Sequence, residues 1–339
     1  MTVLYICEPG AVLRRDGESW VVTAAPKHGV HDILARILGH QLQAAVLLGR
    51  VHATTEALHL CLVQAIMLAW LDRGGRFLGR LTPRQNRSAE PRVAQYRLAL
   101  DPAARLTRAK TVAAAKVANA AAVLRRLQSN RPGRPELGAT IAALGEWQRA
   151  IAAAADPSAL LGAEGMAARG YFAALRVVFP PAMPFAGRAR RPPPDPVNAL
   201  LSLGYVLLGL RLSGLIEALG LDPAIGFLHD LRPGRDSLAL DLLEELRHPV
   251  VDLLVLRLCN LAMMRPENFE PDPDHPGGVR LRQEDLKRFL QLWEGWLDKP
   301  LPEEGAAATS PAHLLRRQVE RLADDLRGGA SYCPFRFRG

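Results

Sequence analysis

The four cysteines, Cys7, Cys61, Cys259 and Cys333, stand far apart, so the paired spacing of a zinc site or a disulfide framework is missing. Thiols scattered in this way fit a reducing compartment, and a cytoplasmic location is expected. No charged start with an apolar stretch and a cleavage site opens the chain; MTVLYICEPGAVLRRDGE reads as a strand and a turn, which argues against secretion. Long uninterrupted apolar runs are missing too. The most apolar stretch, 197–227, contains Arg211 and Glu217 and is broken by Gly204, Gly209, Gly214 and Pro223, so it predicts a buried core helix and no membrane partner. No repeat of fixed period is found. Acids are in deficit, 34 against 43 Lys and Arg, a net charge of +9 that favours a polyanionic partner, nucleic acid first. What is present is apolar material: 49% of 339 residues, enough for two cores.

Residues 1–83 carry a β signal. Short runs at 3–7, 20–23, 46–48, 67–71 and 76–81 are separated by Pro-Gly, Asp-Gly and Gly-Gly, with one helix expected at 54–64 after Thr54 and Thr55. From Pro83 onward Ala, Leu, Arg and Gln replace strand formers, which puts a boundary within 82–92. The expected fold class is therefore α+β, with a small mostly-β domain over 1–83 and a larger all-α domain over 84–339. Between Arg84 and Leu127 ten Lys or Arg residues face two acids, Glu90 and Asp101. Such a stripe is the footprint expected for a phosphate backbone, with Arg92, Lys110 and Lys116 as candidate contacts, although Lys and Arg are also good soluble helix formers.

Residues 179–196, with Pro-Pro, Pro-Pro-Pro, Arg188, Arg190 and Arg191, predict an exposed basic loop: a mobile flank able to touch DNA, or a plain extended linker. Arg232 and Arg235 join these as candidate DNA contacts. Pro249 is expected to start a new apolar helix running to Met264. The acidic loop 266–279, with Asp272, Asp274 and His275, is set aside as a metal site because its four prolines deny it a fixed scaffold. Helices follow at 283–297 and 312–326, and the final SYCPFRFRG is expected to be exposed.

Chemistry concentrates in GFLHDLRPGRDSLALDLLEELR, residues 226–247. Pro233 and Gly234 break the backbone after His229, and Asp236 or Ser237 can cap a helix opening at Leu238. On that helix Leu238, Leu242, Leu243 and Leu246 gather on one side, while Asp241, Glu244 and Glu245 share the other. Imidazole plus carboxylates suits Mg²⁺ or Mn²⁺, yet acids near a helix start are as readily explained by solvation and the helix dipole. A second carboxylate bears on the choice. In 158–178 the residues Leu160, Glu164, Ala167, Tyr171, Leu175 and Val178 form one helical stripe, apolar or aromatic except for Glu164. A carboxylate aimed at a packing face needs a cation, a distant arginine or a raised pKa.

Glu164, His229 and Asp241 with Glu244 together resemble the site of the CRISPR-associated adaptation integrases, the first Cas family. AEGMAARGYF around Glu164, DPVNALLSLGYVLL from Asp195 and GLDPAIGFLHDLRPGRDSLALDLLEELR from Gly220 resemble that family's motifs. VLLGRVHATTEALHLCL and AWLDRGGRFLGRLTP resemble its N-terminal domain, and Arg92 with Gln95 and Lys116 with Asn119 fall at its Arg-x-x-Gln and Lys-x-x-Asn positions. The resemblance implies that Glu164, His229 and Glu244 hold one divalent cation, Mg²⁺ or Mn²⁺, with Asp241 as a further ligand or outer neighbour and Glu245 solvated or salt-bridged. It implies a DNA endonuclease and integrase that joins the 3′-hydroxyl ends of a protospacer duplex to a CRISPR repeat. It further implies a homodimer formed through the β domain and a small second Cas protein as partner. Two other functions use the same residues: a metal-dependent nuclease acting on branched or broken DNA in repair, and a non-catalytic DNA-binding scaffold, which the inward-facing Glu164 disfavours.

Overall fold

The computed structural model describes residues 2–25, 32–83, 89–131, 133–189 and 192–339. Two compact units emerge, one of residues 1–86 with 268–292 and the other of 87–267 with 293–339. The first carries two four-stranded sheets built from β1 (Thr2–Ile6), β2 (Val12–Asp16), β3 (Ser19–Thr23), β4 (Ile33–Leu38), β5 (Leu42–Leu48), β6 (His52–Ala53), β7 (Met67–Leu71) and β8 (Phe77–Leu81). Their orders are β1-β5-β7-β8 and β4-β3-β2-β6. Helix α1 (Thr55–Val63) interrupts the strands, started by the Thr54 hydroxyl, which accepts the Ala57 N–H at 3.3 Å. Leu13, Trp20, Leu47, Cys61 and Leu68 are core residues between these layers. Three strands escaped the sequence reading: β2 and β4 carry charged residues among their apolar ones, and β6 is two residues long.

The stretch 266–279 is a short hairpin of β9 (Phe269–Pro271) and β10 (Val279–Leu281), not a loop. It belongs to the first unit, where the Arg73 guanidinium donates to the Leu281 carbonyl at 2.8 Å. Asp272 there faces His275 at 2.9 Å and Arg280 at 3.5 Å.

The second unit is helical: α2 (Glu90–Leu100), α3 (Pro102–Ser129), α4 (Pro135–Ala153), α5 (Pro157–Leu175), α6 (Pro196–Ala218), α7 (Ser237–Leu246), α8 (Leu253–Asn260), the end of α9 (Gln283–Leu297) and α10 (Pro311–Leu326). Proline stands in the first turn of α2 to α6 and α10, where its missing N–H is not needed, and Asp101, Asp156 and Asp195 cap α3, α5 and α6. Helix α6 is long and apolar enough to cross a membrane, but Leu200, Leu201, Leu208 and Leu212 are fully buried within the unit.

Three expectations need correction here. Asp236 stands at the cap position of α7 without capping it; its carboxylate accepts the Ser213 hydroxyl at 2.6 Å instead. The chain does not break at Arg247 for a new helix at Pro249. It passes through a wider π-helical turn, Arg247–Asp252, into α8, and that turn tolerates a proline without an N–H to donate. The end of the chain is not exposed: Tyr332, Phe335 and Phe337 are buried against α3 and α7. Their alternation with charged or small residues over so few positions gave no periodic signal to read.

Candidate active site

Long helix α3 lies against α5 and α7, so one side chain from each can meet. Glu164 comes from α5, Lys116 from α3, Glu244 from α7, and His229 from the loop ahead of α7. The Lys116 ammonium bridges the two acids, touching Glu164 in a short contact and Glu244 at 2.6 Å. His229 turns Nε2 toward Glu244 Oε1 at 3.9 Å. The structure therefore joins Glu164, Glu244 and His229 through one chain of contacts centred on a cation.

Asp241 stands behind this group. Its Oδ2 accepts the N–H groups of Phe227 at 2.5 Å and Leu228 at 3.0 Å; its Oδ1 accepts the His229 N–H at 3.0 Å and faces His229 Nδ1 at 2.7 Å. Both oxygens are thus committed to the 227–229 loop, and Asp241 acts through His229, fixing which ring nitrogen is left for a ligand. Gly226 is required by the same approach, since a Cβ there would lie 2.7 Å from Asp241 Oδ2 and 2.8 Å from the Ser237 carbonyl carbon. Gln95 fixes the loop further upstream, donating to the carbonyls of Asp222 at 2.8 Å and Ile225 at 2.7 Å and accepting the Asp222 N–H at 2.9 Å.

The acids of α7 are not a solvated face. Asp241, Glu244 and Glu245 are all buried, because α3 and the last residues of the chain cover the side that periodicity assigns to solvent. Burial alone would raise the Glu244 carboxyl, but Arg247, Lys116 and His229 outweigh it and hold it well below the usual carboxylate range. Arg247 does this through two bonds of 2.9 Å to the Glu244 carboxylate, with its guanidinium 4.4 Å from the Tyr205 ring centroid. Arg247 was not singled out in the sequence; its spacing of three from Glu244 was the available signal. Behind it, Asp252 accepts the hydroxyls of Tyr171 at 3.0 Å and, in a short contact, Tyr205, and meets His248 Nδ1 at 2.7 Å.

Glu245, expected to be solvated or salt-bridged, is instead 2% exposed and held by the final segment. It accepts the Tyr332 hydroxyl at 2.5 Å, the Phe335 N–H at 2.8 Å and the Gln318 amide at 3.2 Å. Burial pushes its pKa up to about 7 against these donors. Asn119, one turn from Lys116, ties the same parts together by donating to the carbonyls of Glu245 at 2.6 Å and Phe335 at 2.9 Å and accepting the Phe337 N–H at 2.8 Å.

The candidate DNA contacts divide. Lys116, expected on a basic surface, is 5% exposed and belongs to the acidic site. Arg188 is not a free flank: it donates to Asn198 Oδ1 at 2.8 Å and Ser202 Oγ at 3.0 Å and lies over Tyr205. Arg190 and Arg191 fall outside the described residues. Lys110 is half-buried and donates to the Ala152 carbonyl at 3.1 Å, Arg92 and Arg235 are half-buried, and Arg232 is exposed on the loop that follows His229.

Among the described residues no three His, Cys, Asp or Glu side chains stand close enough together to hold a metal ion in this arrangement. The donor set nevertheless fits one: two carboxylates already converge on a single cation, and an imidazole nitrogen faces one of them.

The family model for CRISPR associated protein Cas1 matches residues 4–295. A CRISPR-associated endonuclease Cas1 of Thermus thermophilus is 36% identical over 297 residues, covering 88% of this chain and 85% of that protein. Another, of Rhodospirillum rubrum, is 36% identical over 348 residues, covering 98% and 97%. Among solved structures, a chain of a Cas6-RT-Cas1–Cas2 complex superposes with a TM-score of 0.84 at 25% identity, covering 99% of this chain and 36% of that one. Match, identity and coverage agree: the chain belongs to the Cas1 family of CRISPR-associated proteins.

Proposed function

We propose that this protein is the endonuclease and integrase of CRISPR adaptation, joining the 3′-hydroxyl ends of a protospacer duplex to a CRISPR repeat by transesterification in the cytoplasm. The observation that carries the reading is the convergence of Glu164 and Glu244, from separate helices, on one cation, with His229 Nε2 beside them, in a chain of the Cas1 family. Glu164, Glu244 and His229 would hold Mg²⁺ or Mn²⁺. When bound, such an ion lowers the pKa of an attacking hydroxyl and stabilises charge on phosphate oxygens. Asp241 keeps a proton on His229 Nδ1, which leaves Nε2 as a lone-pair donor. Arg247 keeps Glu244 ionised and in place. Each bond formed replaces a phosphodiester with a phosphodiester, so no nucleotide cofactor is needed.

Double-stranded DNA is the proposed substrate, with Arg92, Lys110, Arg232 and Arg235 as phosphate contacts. The proposed partners are a second copy and a small second Cas protein, the latter supported by the match to a chain of a Cas6-RT-Cas1–Cas2 complex. The edge strand β4 supports self-association, because Ile33, Leu34 and Leu38 leave about half their surface exposed on a sheet edge that is unpaired among the described residues. Protospacer duplexes ending in 3′-hydroxyl or dideoxy nucleotides, incubated with a repeat plasmid, Mn²⁺ and the partner protein, test the reaction. Joined product from the hydroxyl ends alone is expected. Plasmid nicking that is indifferent to the end, without joining, would make this a nuclease that uses water.

A further inference from the structure

The half-buried Glu164 and the buried Glu244 carry an electrostatic cost when no metal is bound. Two carboxylates with side chains only 17% and 7% exposed repel each other and are poorly solvated whenever no metal is bound. Arg247 serves Glu244 alone, through both of its oxygens. The ammonium of Lys116 serves both acids at once, and it occupies the point on which they converge. A protonated amine has no lone pair to offer a metal, and two cations cannot share one point between the same oxygens.

We propose that Lys116 is a place-holder: a resident counter-cation that keeps the metal-free site folded and must withdraw its ammonium for a divalent ion to bind. This rests on the metal-site reading above. The side chain is suited to the task, since four flexible methylenes let a lysine swing where a planar, doubly bonded arginine could not leave easily. Its position on α3, one turn before Asn119, keeps the backbone fixed while the side chain moves, because Asn119 ties that turn to Glu245, Phe335 and Phe337. The apparent metal affinity of the native protein is therefore its intrinsic affinity reduced by the work of displacing Lys116.

The test is Mn²⁺ titration of the full-length protein without DNA, followed by the paramagnetic signal of free Mn²⁺. Lys116→Met should bind Mn²⁺ about tenfold more tightly than the native chain, equivalent to ~1.4 kcal/mol. Its melting temperature should be lower without metal and rise more on adding it, whereas Lys116→Arg should gain no affinity. In the native protein, amine acylation read by mass spectrometry should leave Lys116 unlabelled without metal and label it once Mn²⁺ is present. This second measurement stands even where Lys116→Met fails to fold. Equal or weaker Mn²⁺ binding by Lys116→Met, or labelling of Lys116 that ignores Mn²⁺, would overturn the place-holder. Glu164→Gln and Glu244→Gln separate the two claims: if both bind Mn²⁺ like the native chain, the metal site and the place-holder fall together. If both lose Mn²⁺ while Lys116→Met gains nothing, the place-holder falls alone.

Discussion

Asp241→Asn removes one oxygen from a carboxylate that serves four donors, and the consequences can be followed atom by atom. The amide oxygen of Asn can replace either Oδ2, keeping the Phe227 and Leu228 N–H groups, or Oδ1, keeping those of His229. In the first case the amide NH₂ faces the His229 N–H, a donor against a donor, and reaches Nδ1 only if that nitrogen gives up its proton. The proton then moves to Nε2, and the nitrogen proposed to face the cation loses its lone pair. In the second case two buried backbone N–H groups lose their acceptor. Two hydrogen bonds to a charged group are at stake, each about 1.5–3 kcal/mol, so a local cost of about 3 kcal/mol is expected after relaxation. The expected result is a fall of roughly 100-fold in Mn²⁺ affinity and in strand transfer. DNA affinity should stay near native, because Asp241 reaches no surface. Titration with Mn²⁺ and single-turnover joining assays supply the numbers, and imidazole nitrogen shifts report the tautomer. An Asn variant within about threefold of native in both assays would refute the role given to Asp241.

Glu245 makes stability depend on pH. Its pKa is about 7 in the folded protein against an ordinary 4.5, so the folded state binds the proton more tightly. Stability should be highest below pH 4.5, decline as pH rises to about 7 and level off above, by up to about 3 kcal/mol. Urea unfolding at pH 5 and pH 8 should show this decline in the native chain and lose it in Glu245→Gln; identical pH dependence would refute it. Phe335→Ala should cost about 3–5 kcal/mol, because the ring is fully buried behind α7, and near-native unfolding would mean that the final segment does not hold the helix. Replacing Arg92, Lys110 and Arg232 together should reduce the salt dependence of DNA binding by a slope of roughly 3, while Lys116→Met leaves the slope alone. An unchanged slope in the triple variant would place the DNA elsewhere.

The helices of the second unit were largely legible because their signals are local: prolines and aspartates at their starts, apolar residues at helical spacing, and loops rich in Pro and Gly. The β signal and α1 were legible for the same reason, while β2 and β4 carry charges among their apolar residues and β6 is only two residues long. The four residues expected at the site are linked in the structure, but their arrangement was not legible. Helical periodicity gives the side of α7 on which Glu244 and Glu245 stand, not what covers that side. The cover comes from residues about 70 to 130 positions away: Lys116 and Asn119 on α3, Gln318 on α10, and Tyr332 and Phe335 at the end of the chain. Lys116 illustrates the limit. As one of ten basic residues between Arg84 and Leu127 it looked like a phosphate contact, and only the packing of α3 against α5 and α7 shows it facing the acids.

The central claim is that Glu164, His229 and Glu244 hold the catalytic cation while Glu245, one residue further along the same helix, belongs to the fold. Joining of a hydroxyl-ended duplex to a repeat plasmid in Mn²⁺, at a pH where all variants are folded, tests this directly. Loss of product in Glu164→Gln, His229→Ala and Glu244→Gln, with product retained in Glu245→Gln, is the predicted result. Product from Glu244→Gln beside an inactive but folded Glu245→Gln would contradict the site as described.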